Sequence, residues 1–137
     1  MSFRYKSALL SLVSLVLIYG WYFAGWFVDH RDGVHFDGPA SLLHAVMLVV
    51  VTQIVGHVVI ARTSSDHYGA MDERELSFDR RATSAGYYLM IIGTLAAIGT
   101  LHLGARAGDL ANAALLAIVV AECSRQAIFV ALHHRAA

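Results

Sequence analysis

Long apolar runs alternate with short polar segments along this chain. The runs cover residues 7–28, 40–61, 83–104 and 110–132. Each is slightly longer than the roughly 20 residues that cross a hydrocarbon layer of about 30 Å at about 1.5 Å rise per residue. The pattern predicts an all-α membrane protein, a four-helix transmembrane bundle that forms a single domain over residues 1–137.

The composition agrees with this fold class. Hydrophobic residues make up 58% of the chain and charged residues 15%, both shifted from soluble averages towards membrane proteins. Arg4 and Lys6 precede the first run in the manner of a signal peptide. That run continues through Trp21 and Trp26, which is too long for a cleaved segment, so a retained helix is expected. A formal net charge of zero gives no indication of nucleic-acid binding.

The basic residues predict how the helices are oriented. Arg31 and Arg106 lie on one side of the predicted membrane, and seven basic residues lie on the other: Arg4, Lys6, Arg62, Arg74, Arg80, Arg81 and Arg135. Cytoplasmic segments carry the excess of Lys and Arg. Both termini and a loop over residues 62–82 are therefore expected in the cytoplasm, and the location expected is a bacterial inner membrane. Trp21, Tyr22 and Trp26 then fall at the outer interface.

The loop at 62–82 is the only sizeable polar segment. Residues 71–81 predict a short interfacial helix that leads into the third run, and its acidic start contains Asp72, Glu73, Arg74 and Glu75. Two interpretations stay open for these four residues. They form either a solvated connector or a surface on which a partner protein docks.

The third and fourth runs are rich in small residues. Glycine and alanine allow membrane helices to approach closely, and here they are Gly86, Gly93, Gly99, Gly104, Ala113, Ala117 and Ala121. They serve either packing within the chain or a homo-oligomer interface. Between the two runs, Gly108 is expected to end the third helix and Asp109 to cap the fourth.

Ionisable side chains within the apolar runs are the main candidates for chemistry. Glu122, Arg125 and Gln126 share one face of the fourth helix, and Gln53 and His57 share one face of the second. An ionised group at the bilayer centre costs at least about 2.5 kcal/mol, so such groups are paired, protonated or in contact with water. Glu122 and Arg125 form either a structural pair or part of a cation- or proton-linked site.

The histidines suggest a haem alternative. His44 and His102 lie towards one end of the predicted bundle, and His57, His133 and His134 towards the other, as in membrane b-type cytochromes. His44 and His57 are 13 positions apart, about 140° around a helix, which argues against two stacked haems. No cofactor or metal site is predicted, and haem b remains an alternative. Cys123 is a lone thiol inside the fourth run.

Two short motifs in this chain resemble those of a group of small prokaryotic multi-helix membrane proteins of unknown function. The shared features are the Asp72-Glu73-Arg74-Glu75 stretch before one helix and the Ala121-Glu122-x-x-Arg125 element in the last. The resemblance covers residues 71–135. It implies a polytopic membrane fold and that these charged residues act together, with Arg74 near Glu122, but it implies no reaction, substrate or cofactor.

Three functions are compatible with these features. No phosphate-binding loop, nucleophile elbow or His-Glu-x-x-His pattern is present, so an enzyme is not expected. The leading hypothesis is a non-enzymatic accessory or regulatory protein in the bilayer, working through protein–protein contacts as a homo-oligomer or as a subunit of a larger complex. The alternatives are a proton- or small-cation-coupled transporter or channel that uses Glu122, and a small b-type haem electron carrier.

Overall fold

Four long helices make up the structure. The computed structural model describes residues 3–32, 38–63 and 73–136, which are helical except for a short turn. The elements are α1 (Phe3–Asp32), α2 (Gly38–Thr63), α3 (Glu73–Gly99), a 3₁₀ turn (Thr100–Leu103) and α4 (Ala107–Ala136). Each α-helix is long and apolar enough to cross a membrane. The prediction of an all-helical protein with four helices long and apolar enough to span a membrane is confirmed.

Successive helices run in opposite directions. Ser7 near the start of α1 contacts His57 near the end of α2, and Tyr22 further along α1 contacts Asn112 near the start of α4. Glu75 at the start of α3 lies near the end of α4. One end of the bundle, where α1 and α3 begin and α2 and α4 end, is here called the terminal end. The other end is called the opposite end.

Three seams hold the helices together. α1 packs between α2 and α4, and α3 packs closely along α4, whereas no comparable seam joins α2 to α3 in the described residues. A buried apolar cluster fills the space between α1, α2 and α4: Leu15, Tyr19, Tyr22, Phe23, Ala45, Val49 and Val119. A smaller cluster at the terminal end joins Ala8, Ala82 and Phe129. The bundle is therefore least closed between α2 and α3.

Glycines of α3 allow its close approach to α4. A Cβ atom added at Gly93 would lie 2.7 Å from the Cβ of Ala117. One added at Gly86 would lie 3.1 Å from the Cβ of Arg125. These glycines thus serve packing within one chain, which is the first of the two interpretations of the small-residue pattern. The homo-oligomer interpretation stays a prediction.

The start of α3 differs from the sequence-based boundary. The apolar run begins at residue 83, but the helix begins at Glu73. Residues 73–82, here called the α3 extension, pack against the end of α4: Ala82 is fully buried, and Phe78 packs on the terminal cluster. The short helix predicted over residues 71–81 is therefore not a separate element but is continuous with α3 from Glu73 onward.

The connection between α3 and α4 also differs in detail. Gly104, with a φ of 80°, ends the 3₁₀ turn, and Gly108 lies inside α4. Only glycine adopts that left-handed backbone without steric cost. Asp109 lies in the first turn of α4, where its Oδ2 accepts a 3.2 Å hydrogen bond from the backbone N–H of Arg106. The predicted cap is thus displaced from the N-cap position into the first turn.

The exterior of the helices is apolar. Large exposed hydrophobic side chains lie on all four helices, as expected for surfaces that face lipid. Trp21 is 72% exposed, whereas Tyr22 is only 2% exposed. The side chain of Tyr22 turns inward to a polar partner on α4 and does not face the exterior, and its depth at the outer interface stays a prediction.

Candidate functional site

A cavity of about 450 Å³ lies among the helices towards the terminal end. All four helices contribute to its lining. The lining includes the five side chains that the sequence singled out as an intramembrane polar set: Gln53, His57, Glu122, Arg125 and Gln126. Four further polar side chains line it and were not predicted: Arg4, Ser7, Ser11 and Asp79. Residues that are distant in sequence thus form one polar site.

The first wall of the cavity joins α1 to α2 through His57. Its Nδ1 lies 2.7 Å from the backbone oxygen of Gln53. Because a carbonyl oxygen only accepts hydrogen bonds, Nδ1 donates this one. Nε2 forms a 2.6 Å hydrogen bond with the hydroxyl of Ser7. These two contacts hold the ring in place at the cavity surface.

Gln53 continues this wall one turn deeper. Its Oε1 accepts a 3.0 Å hydrogen bond from Ser11, and its Nε2 donates a 2.9 Å hydrogen bond to Ser14. Ser14 in turn donates to the backbone oxygen of Ser11 at 3.1 Å. Ser7, Ser11 and Ser14 follow the spacing that places side chains on one helix face. Gln53 and His57 of α2 therefore both meet hydroxyl groups of α1.

The second wall is an ion pair within α4. The guanidinium of Arg125 contacts both carboxylate oxygens of Glu122, from Nη2 to Oε1 at 2.6 Å and from Nε to Oε2 at 3.0 Å. The amide of Gln126, which is buried, donates to the same Oε1 at 2.8 Å. A two-point contact of this kind is among the stronger charge-assisted interactions. Glu122 is ionised in this arrangement.

A second carboxylate lies near the same arginine. Asp79 in the α3 extension has its Oδ1 3.9 Å from Nη1 of Arg125, and about one third of each side chain is exposed. Arg125 is therefore placed between two acidic groups, with a close contact to Glu122 and a long one to Asp79. The sequence predicted a helix that includes residue 79 but did not single out Asp79, because the segment alone does not show which of its faces meets α4.

Apolar side chains close the cavity on its far side. Leu15 and Val49 both line the cavity and belong to the apolar cluster. Beyond them the cluster continues through Tyr19 and Tyr22 towards the opposite end. Phe3, Arg4 and Phe129, by contrast, line the cavity near the terminal end. The polar space therefore ends against packed apolar side chains about midway along the helices.

The haem-ligand candidates do not converge on one place. His57 lines the cavity, and His133, His134, His44 and His102 are not among its lining residues. Within the described part of the chain, no group of three or more His, Cys, Asp or Glu side chains is arranged to hold a metal ion. Both ring nitrogens of His57 have hydrogen-bond partners. Haem ligation by His57 with His133 or His134 stays a prediction without support from this geometry.

His133 has a different set of neighbours. Its Nδ1 lies 4.0 Å from Oε1 of Glu75. Its ring centroid lies 4.9 Å from that of Tyr5 and 6.3 Å from that of Phe129. These contacts connect the starts of α1 and α3 to the end of α4. His133 thus helps to assemble the terminal end around the cavity.

The four predicted docking residues are not equivalent. Asp72 lies outside the described residues. Glu73 and Arg74 are exposed on the α3 extension, and Glu75 is partly buried near His133. The expected approach of Arg74 to Glu122 is wrong. The antiparallel packing sets Glu75 opposite His133, so Arg74 lies about 11 residues, or roughly 16 Å of helix, below the level of Glu122.

Comparisons with known proteins do not assign the chain to a family. No family model, no curated protein and no solved structure matches it. The motif resemblance to small prokaryotic membrane proteins therefore gains no family assignment from them. Any function must be argued from the geometry of the cavity.

Proposed function

We propose that the protein moves protons or a small cation across a membrane, with the cavity as the site that receives them. The observation that carries this proposal is the convergence of charged and polar side chains from all four helices on one cavity. Ionisable groups at membrane depth are costly, and in membrane proteins they commonly mark the pathway of a substrate or an ion. Polar side chains line the cavity, whereas the exterior of the same helices is apolar.

The two walls have different roles in this proposal. Glu122 supplies the carboxylate that takes up the proton or cation, and Arg125 compensates its charge while the site is empty. The opposite wall, with Ser7, Gln53 and His57, supplies hydrogen-bond donors and acceptors that solvate the passing ion. A structural Glu122–Arg125 pair alone would require neither a cavity nor a second polar wall.

The cavity represents a conformation that is open to one side. It reaches the terminal end and stops at Leu15 and Val49, so passage requires the apolar cluster beyond them to open. The excess of basic residues at the terminal end supports placing both termini and the mouth of the cavity in the cytoplasm. A bacterial inner membrane is the location that this orientation fits.

Flux measurements on purified protein in liposomes test the proposal. A potassium gradient with valinomycin drives proton uptake, which a trapped pH-sensitive dye reports, and sodium and potassium uptake are measured in parallel. The wild-type protein is expected to conduct above protein-free liposomes, and Glu122→Gln is expected to return flux to that background. Glu73→Gln, an exposed carboxylate on the α3 extension, is the matched control. Wild-type flux at background for all three cations contradicts the proposal.

A second candidate function is the docking of a partner protein. The observation that favours it is that the α3 extension is a charged helix with exposed side chains at Glu73, Arg74, Arg80 and Arg81. Neutralising these four residues together is expected to remove a specific partner from native-membrane preparations, while Lys6→Gln retains it. Equal recovery of partners with both variants contradicts a docking role for this segment.

A further inference from the structure

The position of Arg125 between two carboxylates suggests how the cavity responds to a proton. We propose that Arg125 has two positions: it pairs with Glu122 when that carboxylate is ionised, and with Asp79 when Glu122 is protonated. The inference deepens the proposed function and rests on it for its physiological role. It assigns to Asp79, which lines the cavity, a positioning role towards Arg125.

The distances define which position is occupied. Arg125 makes two short contacts to Glu122, at 2.6 and 3.0 Å, and one long contact of 3.9 Å to Asp79. Protonation removes the charge of Glu122 and turns one of its oxygens into a hydrogen-bond donor. A guanidinium has no acceptor for that hydrogen bond. The guanidinium then loses its close partner, and the nearest remaining anion on this wall is Asp79. A single arginine thus serves two carboxylates in turn.

The stem of Arg125 packs closely on the backbone of α3. Gly86 faces the stem of Arg125, where an added Cβ would lie 3.1 Å from the Cβ and 3.6 Å from the Cγ of Arg125. Asp79 lies seven residues, or about 10 Å of helix, from Gly86 towards the terminal end. Because no side chain projects from α3 at Gly86, the stem of Arg125 lies directly against the backbone of the helix that carries Asp79.

Besides the neighbouring thiol of Cys123, the described charged and titratable groups near Glu122 are those that line the cavity. Arg4 of α1, His57 of α2, Asp79 of α3 and Arg125 of α4 line the same cavity. With Glu122 ionised, the formal charges of the two arginines balance those of the two carboxylates. A proton on Glu122 leaves one positive charge in excess, and the movement of Arg125 to Asp79 carries that charge towards the terminal end. Proton uptake is thereby linked to the contact between α3 and α4.

Coupling measured by thermal unfolding tests the two positions without any flux assay. Asp79→Asn is made in the wild-type protein and in Glu122→Gln, which mimics the protonated state. The expected lowering of Tm is small in the wild type and about 4 °C larger in Glu122→Gln, a shift that corresponds to roughly 1 kcal/mol in a chain of this size. Glu73→Gln, in both backgrounds, is the control. Equal effects of Asp79→Asn in the two backgrounds overturn the proposal.

A second measurement needs only the wild type and Asp79→Asn, in case Glu122→Gln does not fold. The Nε–H resonance of Arg125 is followed by NMR in detergent as the pH is lowered. It is expected to move between two positions in the wild type and to lose that movement in Asp79→Asn; the same movement in both proteins overturns the inference. If the protein conducts cations but Asp79→Asn and Glu122→Gln are not coupled, the proposed function stands and the two positions of Arg125 do not. If the two substitutions are coupled but no flux is measured, only the two positions of Arg125 stand.

Discussion

Tyr22 of α1 donates a 2.6 Å hydrogen bond to Oδ1 of Asn112 on α4. Both side chains are buried, Tyr22 at 2% and Asn112 at 7% exposure. The amide nitrogen of Asn112 donates to the backbone oxygen of Gly108 at 3.0 Å, which orients its oxygen towards α1. This contact joins α1 to α4 towards the opposite end of the bundle. The apolar cluster separates it from the cavity.

Replacing Tyr22 with Phe is expected to destabilise the protein by about 1–3 kcal/mol, because Oδ1 of Asn112 loses a buried donor. Thermal unfolding in detergent measures the change. Tyr19→Phe is the matched control, since Tyr19 is also buried in the apolar cluster and its described contacts there are apolar. Equal losses in the two variants would mean that the hydroxyl–amide contact contributes nothing specific.

The packing of α3 on α4 predicts contrasting effects of two glycine substitutions. Gly93→Ala is expected to cost about 1–3 kcal/mol, because the added methyl group would lie 2.7 Å from the Cβ of Ala117, which cannot move without its backbone. Gly20→Ala is expected to be neutral or stabilising by up to about 1 kcal/mol, since nothing lies within 4 Å of its added Cβ. Unfolding curves compare them, and the reverse order would refute the close α3–α4 seam.

Ser7 and His57 are expected to be energetically coupled. A double-mutant cycle with Ser7→Ala and His57→Ala should give about 0.6 kcal/mol and no more than about 1.7 kcal/mol, the range for hydrogen bonds between membrane helices. His44 is on the same helix and exposed. A cycle that pairs Ser7→Ala with His44→Ala should be additive, and coupling of the same size there would disprove the specific contact.

The ion pair on α4 predicts an asymmetry between single and double substitutions. Arg125→Gln leaves the carboxylate of Glu122 uncompensated and is expected to destabilise the protein by about 2 kcal/mol or more. Adding Glu122→Gln removes the stranded charge and should restore most of that loss. Expression level and unfolding temperature report both effects. A double variant that is less stable than Arg125→Gln would contradict the pairing.

The sequence predicted the helices well where apolarity alone decides them. All four runs are helical, since a backbone in lipid must satisfy its hydrogen bonds within the segment. The convergence of Gln53 and His57 with Glu122 was also foreseeable, because polar side chains in a membrane helix avoid lipid. The spacing of these residues within each helix predicts that they share one face. It does not predict which side chains of α1 they contact.

The remaining features depend on tertiary contacts that no single segment encodes. The helix predicted over residues 71–81 is continuous with α3 from Glu73 onward, and its packing through Ala82 and Phe78 near α4 is a tertiary feature. Asp79 was missed because its partner Arg125 lies across the α3–α4 seam. Tyr22 matches the composition of an interfacial ring, and only the position of Asn112 across the α1–α4 seam explains why it is buried.

Because Glu122 and Arg125 belong to the same helix, one turn apart, their mutual neutralisation does not depend on the other three helices. During biosynthesis α4 leaves the ribosome after the other three helices, and Glu122 and Arg125 are charged groups within its apolar span. A self-contained pair lowers the cost of partitioning that segment into the bilayer before any tertiary contact forms. The pair thus makes α4 competent for insertion as an independent unit, and docking onto α1 and α3 can follow afterwards.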